Sequence, residues 1–390
     1  MKNQKKIYLD YAATTPVDPR VLRIMAPYFS KKFGNTMSLY ALGQEAKQAL
    51  EESRETVAYL MNAEPKEIFF TGSATESNNL ALKGVAFANR QKGNHIIISP
   101  IEHPCIMESA KWLEKQGFKI TRMKVDRYGQ VNPQDVKKAI RKETILVSIM
   151  HASNEIGTIE QIAEIGKICR GKGVYFHTDA VQSFGKIPIN VKKMNVDLLS
   201  ASSHKMYGPK GAACLFVRDG VKIEPILHGG GQESGLRSST INIPAIIGFA
   251  KACRICKKEM KQESARLTKL RDKLIKGISK RISGSHLNGH PKKRLPNNVN
   301  FWFEFVEGES IIIRLDLLGV AASTGSACSS AKLEPSHVLL ALGLKPQEAH
   351  GSLRLSLGRW TGENEINYLL KVLPPIIKKL REISPFKKHG

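Results

Sequence analysis

The chain has 390 residues, 42% hydrophobic and 24% charged, the balance of a soluble globular protein with core enough for two domains. No run of eighteen apolar residues occurs, which excludes a membrane-spanning helix, and the six cysteines lack the spacing of a secreted disulfide framework. The formal net charge of +25 is unusual for a metabolic enzyme and suits tRNA or acidic protein partners, although basic drift in composition gives the same result.

Met1 to Lys6 pass at once into strand-like Ile7-Tyr8-Leu9, with no apolar signal region, so a cytoplasmic location is expected. Residues 7–15 read as an extended entry ending at Pro16, followed by a helix from Pro19 to Phe29. A Gly-Asn turn, Phe33-Gly34-Asn35, begins a loop without period, and Gln44 to Met61 is helical in pattern. Ile68 to Thr71 is a short buried strand running into Gly72-Ser73-Ala74-Thr75-Glu76, and a helix then continues to Gln91. Ser73 and Glu76 have capping-box spacing. Free N–H groups of small residues at a helix start make an anion site suited to a phosphate, although a merely well-capped helix looks the same.

His95 to Ser99 is the next strand, and His103 lies just past its end, where an imidazole can lie flat on a ring and move protons. Strands at 120–125 and 144–150 follow, the second leading into His151-Ala152-Ser153-Asn154. A helix at 160–172 precedes a strand ending in Asp179, with Gln182 just beyond. A carboxylate at a buried strand end needs a cation, or serves as a helix N-cap. The protonated ring nitrogen of pyridoxal phosphate is one such cation. The apolar run 196–199 then ends in Ser200-Ala201-Ser202-Ser203-His204-Lys205, a hydroxyl-rich turn from which one lysine emerges. A lysine in such a packed turn is placed for Schiff-base chemistry, where desolvation frees its amine, although most lysines are simply exposed.

The strand–helix alternation over 60–220 predicts a mostly parallel sheet wrapped by helices. Past a strand at 212–217, the glycine-rich stretch 228–240 lets backbone approach a ligand or another subunit. A long helix, 244–281, carries the chain away, and residues 251–281 hold twelve Lys/Arg against three acids, a solvated face. Cys253 and Cys256 lie in it as a C-x-x-C without the second pair that a zinc site needs. A second alternation follows: strand 298–303, helix 308–318 and strand 320–322. Then comes Ser323-Thr324-Gly325-Ser326-Ala327-Cys328, whose small neighbours favour an accessible loop thiol over a buried one. Arg354 sits on strand 352–356, where its planar fork can clamp a carboxylate.

Taken together, Asp179, Gln182, His204-Lys205 and the Cys328 loop resemble the NifS/IscS group of cysteine desulfurases, in the class V aminotransferase superfamily. The likeness runs from Tyr8 to Leu380. It implies the fold type I of pyridoxal-phosphate-dependent transferases. A large domain (15–261) would carry a mostly parallel seven-stranded sheet. A smaller α/β domain (1–14 and 262–390) would carry the cysteine loop.

The resemblance implies a pyridoxal 5'-phosphate Schiff base on Lys205, pairing of Asp179 with the pyridine nitrogen, Gln182 on the ring hydroxyl and His103 stacked on the ring. Ala74, Thr75, Ser202, Ser203 and His204 would hold the phosphate, with Thr240 reaching in from the second subunit of a homodimer. Asn154 would lie near ring and substrate, and Asn35 and Arg354 would bind the carboxylate of L-cysteine. Cys328 would take the sulfur, leaving alanine and a persulfide, and is a candidate ligand for a transient [2Fe–2S] cluster. Iron–sulfur scaffold proteins and tRNA-thiolation proteins are the implied acceptors. A selenocysteine lyase or another β-eliminating lyase, in which Cys328 is dispensable, is the rival enzyme reading. A basic RNA- or protein-binding scaffold on a dead enzyme fold is the non-enzymatic one.

The sequence departs from the family pattern at Gly72-Ser73, where Ser-Gly is usual, at Ser203, where Gly often stands, and at Thr36 and Tyr40, where the entrance loop loses a Pro and a His. It also stops soon after Ser384-Pro385-Phe386, short of the longer tail that helps scaffold-feeding members dock their partner.

Overall fold

The computed structural model describes residues 6–325 and 334–385. A short strand, β1 (Ile7–Tyr8), opens the described chain. The expected helix from Pro19 is divided into Pro19–Met25 and Pro27–Ser30, because Pro27 has no N–H to continue the ladder.

Seven strands form the central sheet: β2 (Ile68–Thr71), β3 (His95–Ile98), β4 (Lys119–Arg122), β5 (Thr144–Ser148), β6 (Tyr175–Asp179), β7 (Leu198–Ser202) and β8 (Ala213–Val217). Their spatial order is β2-β8-β7-β6-β5-β3-β4. β8 runs antiparallel to both its neighbours, and the other pairings are parallel. Since β2 and β7 both oppose β8, they point the same way, and six strands release their carboxyl ends at one edge. Open α/β sheets bind ligands at that edge.

Runs such as Ile96-Ile97-Ile98 and Leu146-Val147 are fully buried, as strands covered by helices on both faces must be. One cluster packs Ile97, Val147, Phe176 and Leu199 against the helices Ala41–Met61 and Ile243–Arg281. The opposite face buries Ile96, Ile98, Leu146 and Leu198 under the helix Pro104–Lys115.

Beyond the sheet, β9 (Ser285–Leu287), β10 (Asn298–Phe303), β11 (Val320–Ala321) and β12 (Ser352–Ser356) build a second layer. β10 pairs antiparallel with β9 and β12, and β1 pairs in parallel with β11. The 39-residue helix Ile243–Arg281 serves both clusters. Phe249, Cys253 and Cys256 enter the first, while Leu267, Leu274 and Ile278 pack with β10, β12 and the helix Glu363–Glu382 in another. Each large apolar side chain fully buried there contributes roughly 1.5–3 kcal/mol.

Candidate active site

Five turns converge at the carboxyl edge of the central sheet. They supply Ala74 and Thr75 after β2, His103 after β3, Asn154 after β5, Asp179 and Gln182 from β6, and Ser202, His204 and Lys205 from β7. All nine line one cavity of about 390 Å³, inside the range of about 300–1,000 Å³ usual for small-molecule sites. Arg354 from β12, Ala12, Ala13, Asn78 and Lys210 line it as well.

Lys205 leaves β7 on a tight turn that continues through Tyr207, whose φ of 67° is a left-handed conformation rare for a bulky residue. Tyr207 is fixed by its N–H on Thr15 Oγ1 (2.8 Å) and its hydroxyl on Glu263 Oε1 (3.0 Å). Lys205 Nζ donates to the carbonyls of Ala12 (2.7 Å) and Ala13 (2.6 Å), and Gln182 Nε2 donates to Ala12 O at 3.0 Å. The segment around residues 12–15 is thus a strap that holds the amine's side of the cavity.

Asp179 is buried at the end of β6, and its two oxygens are held separately. Oδ1 accepts the N–H of Val181 at 2.9 Å, and Oδ2 accepts Asn78 Nδ2 at 2.7 Å. Asn78 was not singled out in the sequence, although its place one helical turn past Ala74 puts both on one face. Its Oδ1 is buried without a partner among the described residues.

At the start of that helix, Ser73 Oγ accepts the N–H of Glu76 (3.2 Å), which is half of the expected capping box. The reciprocal half is redirected. Glu76 Oε2 accepts the N–H of Gly72 (2.9 Å), and its carboxylate pairs with Arg237 at 2.6 Å. The Ser73 cap therefore leaves the N–H groups of Ala74 and Thr75 at the helix start, on the cavity lining.

His103 caps the helix Pro104–Lys115, its Nδ1 accepting the N–H of Cys105 at 3.2 Å. An acceptor role for Nδ1 puts the ring proton on Nε2. Burial lowers its pKa most; Asp179 opposes this, while Lys205 and His337 add to it, so the ring is neutral at pH 7. His204 is pushed down to about 4, first by burial and then by Lys205, Lys186 and Lys210; its Nδ1 lies 3.1 Å from Thr14 Oγ1. Burial, then the Asp179 charge, pushes the Cys105 thiol up to about 12, which makes it packing rather than a thiolate.

Arg354 Nη2 donates to Asp10 Oδ1 (2.8 Å) and Nη1 to the carbonyl of Asn154 (3.1 Å). Its Nε is buried and unpaired among the described residues. Three of the candidate residues stand apart from the cavity. Ser203 is buried beneath it, against Gly208. Asn35 and Thr240 are exposed on the surface, where Asn35 Oδ1 accepts the N–H of Met37 at 3.0 Å. Cys328, as nucleophile and as candidate cluster ligand, lies outside the described residues. Cys253 and Cys256 are both buried in the core.

Residues 7–369 match the family model of aminotransferase class-V. The chain is 54% identical over 386 residues to a cysteine desulfurase IscS of Dictyoglomus turgidum, covering 99% of this chain and 98% of the relative. The chain belongs to the aminotransferase class-V family, in its NifS/IscS cysteine-desulfurase group. A cysteine desulfurase IscS of Methanosarcina thermophila is 51% identical over 381 residues, which is 98% of this chain and 94% of that one. Among solved structures, a NifS-like protein superposes with a TM-score of 0.90 at 39% identity, covering 96% of this chain and all (100%) of its own.

Class V aminotransferase-type cysteine desulfurases depend on pyridoxal phosphate, and the residues present fit that group. A lysine amine and a carboxylate share the cavity wall, an imidazole flanks them, and a capped helix start with nearby Ser202 and His204 offers donors for a phosphate.

Proposed function

We propose that this chain is a homodimeric cysteine desulfurase that takes sulfur from L-cysteine, releases L-alanine and passes the sulfur through Cys328 to a protein acceptor such as an iron–sulfur scaffold. The observation that carries this reading is the meeting of Lys205, Asp179, His103 and Arg354 in one cavity. Relatives named cysteine desulfurase IscS, at 51–54% identity over nearly the whole chain, support it. We read the two clusters along the helix Ile243–Arg281 as the large and small domains, with the boundary near residue 261.

When bound, pyridoxal phosphate supplies an electron sink that makes the substrate's Cα–H acidic and its sulfur open to attack. The protein's own groups do the rest. Ala74, Thr75, Ser202 and His204 hold the phosphate, and Asp179 holds the ring nitrogen in its charged form. Arg354 orients the substrate carboxylate, since Asp10 and the Asn154 carbonyl fix its fork. Lys205 Nζ takes and returns the proton at Cα. The Cys328 thiolate attacks the substrate sulfur, forming an S–S bond as the substrate's Cβ–S bond breaks. The thiol proton of the substrate ends on Cβ, giving alanine and a persulfide anion with atoms and charge in balance.

The exposed apolar residues Phe29, Phe33, Met37, Leu39 and Tyr40, all within one stretch of chain, support a dimer. Leu39 is 93% exposed, and a concentration of large exposed apolar side chains marks an interaction site. A Cys328→Ala variant is expected to keep the cofactor's visible absorbance, and its change on adding L-cysteine, while yielding no persulfide and no sulfide. Undiminished sulfide release by that variant would sink the reading.

A further inference from the structure

The turn Ser153–Gly157 after β5 does more than present Asn154 to the cavity. Its backbone is clamped from the second layer: the Glu155 carbonyl accepts Asn298 Nδ2 and Asn300 Nδ2, each at 3.0 Å. The turn itself is tight, with Gly157 at φ 74° and an added Cβ there lying 2.6 Å from Asn298 Oδ1. Glu155 is 5% exposed, so its carboxyl group is buried at the seam between β5 and β10. A buried acid is costly and calls for a reason.

Its neighbours supply one. Ser336 Oγ donates to Glu155 Oε2 at 2.6 Å, and Ser336 also caps the helix His337–Ala341. The adjacent His337 donates from Nε2 to the carbonyl of Glu102 at 2.9 Å, one residue before His103. On the other side, Gly325 lies against the same carboxylate, since a Cβ there would sit 3.3 Å from Glu155 Oε2. Gly325 is tied back as well, its N–H on Ser323 Oγ at 3.0 Å, and Ser323 O accepts the N–H of Arg354 at 2.6 Å. Gly325 and Ser336 bracket the stretch that contains Cys328. One buried carboxylate therefore bonds Ser336 at one root and lies close beside Gly325 at the other, on a turn whose next-door residue lines the cofactor cavity.

We propose that Glu155 is a positioning residue for sulfur transfer, registering both roots of the Cys328-bearing stretch against the turn that carries Asn154. The inference rests on the reading of Cys328 as nucleophile. It assigns Glu155 to the second half of the reaction, sulfur transfer, and leaves substrate binding and proton removal to other groups. Burial raises the Glu155 pKa above the usual carboxylate range, with Ser336, His337 and Arg354 opposing it.

The test separates the two halves in the holoenzyme. One readout is the rate of the L-cysteine-induced change in cofactor absorbance. The other is persulfide on Cys328 in a single turnover, measured by mass. Glu155→Ala is expected to leave the first within about twofold and to slow the second by about tenfold or more, since an ångström of misplacement costs up to ~10²-fold. Glu155→Gln still accepts from Ser336 Oγ and is expected to restore most of the rate. Ser336→Ala, which leaves the turn's backbone clamps in place, is expected to shift the same readout in the same direction. Equal slowing of both phases, an unchanged persulfide rate, or a Gln variant as slow as Ala would each overturn the assignment. Cys328→Ala, run alongside, distinguishes that failure from failure of the underlying reading: sulfide release at the full rate there dismisses the nucleophile itself.

Discussion

The floor of the cavity and an exposed apolar rim of the molecule at residues 29–40 are built in opposite ways. On the floor, Asp179, Gln182 and Ser202 are 5%, 6% and 2% exposed, and both oxygens of Asp179 are engaged. On the rim, Phe29, Phe33 and Leu39 are 65%, 64% and 93% exposed, and Asn35 and Thr240 face solvent. A buried polar group left unpaired costs about 1–3 kcal/mol, so the floor has to be completed within one chain. An exposed apolar rim is unfavourable in water, and covering it is what gains free energy. Asn35 and Thr240, the two candidates missing from the cavity, are exposed as well; in the proposed homodimer a second copy would supply their contacts.

That contrast can be broken at either end. Lys205→Ala strikes the floor where chemistry happens and is expected to lower turnover by about 10³- to 10⁴-fold, with the melting temperature little changed. Retained turnover in a steady-state alanine assay would contradict the role given to the amine. Leu39→Asp strikes the rim. Sedimentation should show a monomer, and specific activity should drop by about tenfold, recovering as protein concentration rises. A variant that stays dimeric and fully active would separate the rim from the interface.

The smallest effect concerns the floor's bracing. Glu160 supports the 151–160 turn through its N–H on His151 O (3.0 Å) and its Oε2, which accepts the N–H of Val131 (3.0 Å). Burial, mainly, pushes its carboxyl up to about 8. The folded state therefore binds a proton that the unfolded state has already lost, and this stabilisation fades as pH rises from 4.5 to 8. The buried histidines His95, His151 and His204, each lowered to about 4, mainly by burial, act oppositely, but only below about pH 6.5. Between pH 6.5 and 8 the histidines are silent, and the Glu160 contribution falls by about 1–2 kcal/mol, partly offset above pH 7 by Lys186, which burial lowers to about 7. Denaturant unfolding of Glu160→Gln across that window should show a flatter profile; an equally steep one would remove Glu160 as the cause.

Much of this was legible because most of the cavity residues follow an apolar run. Strands such as His95–Ile98 and Leu198–Ser202 announce themselves by hydrophobicity, and the polar residue that ends each one must be at the sheet's edge. The helix Ile243–Arg281 was likewise visible within a residue, since nothing in it breaks the period. What stayed hidden depends on contacts far apart in the chain. No local pattern tells that β8 reverses direction, that Ala12 and Ala13 offer their carbonyls to Lys205, or that Asn78 reaches Asp179. Glu155 looked like any polar loop residue, because its burial comes from β10 and Ser336, more than 140 residues later. Ser203 was misleading for a local reason: the turn alternates, so Ser202 and His204 face the cavity while Ser203 points into the packing against Gly208.

The strap at residues 12–15 has a consequence for the order in which the protein is made. It follows directly from β1, whose partner β11 begins at Val320. A ribosome adding about 5–20 residues per second needs roughly 15–60 s between those two points. Until then β1 lacks its partner strand, and the segment that cradles the amine of residue 205 rests on its bonds to Gln182, His204 and Tyr207, so a nascent chain can finish its central sheet before the second layer is in place.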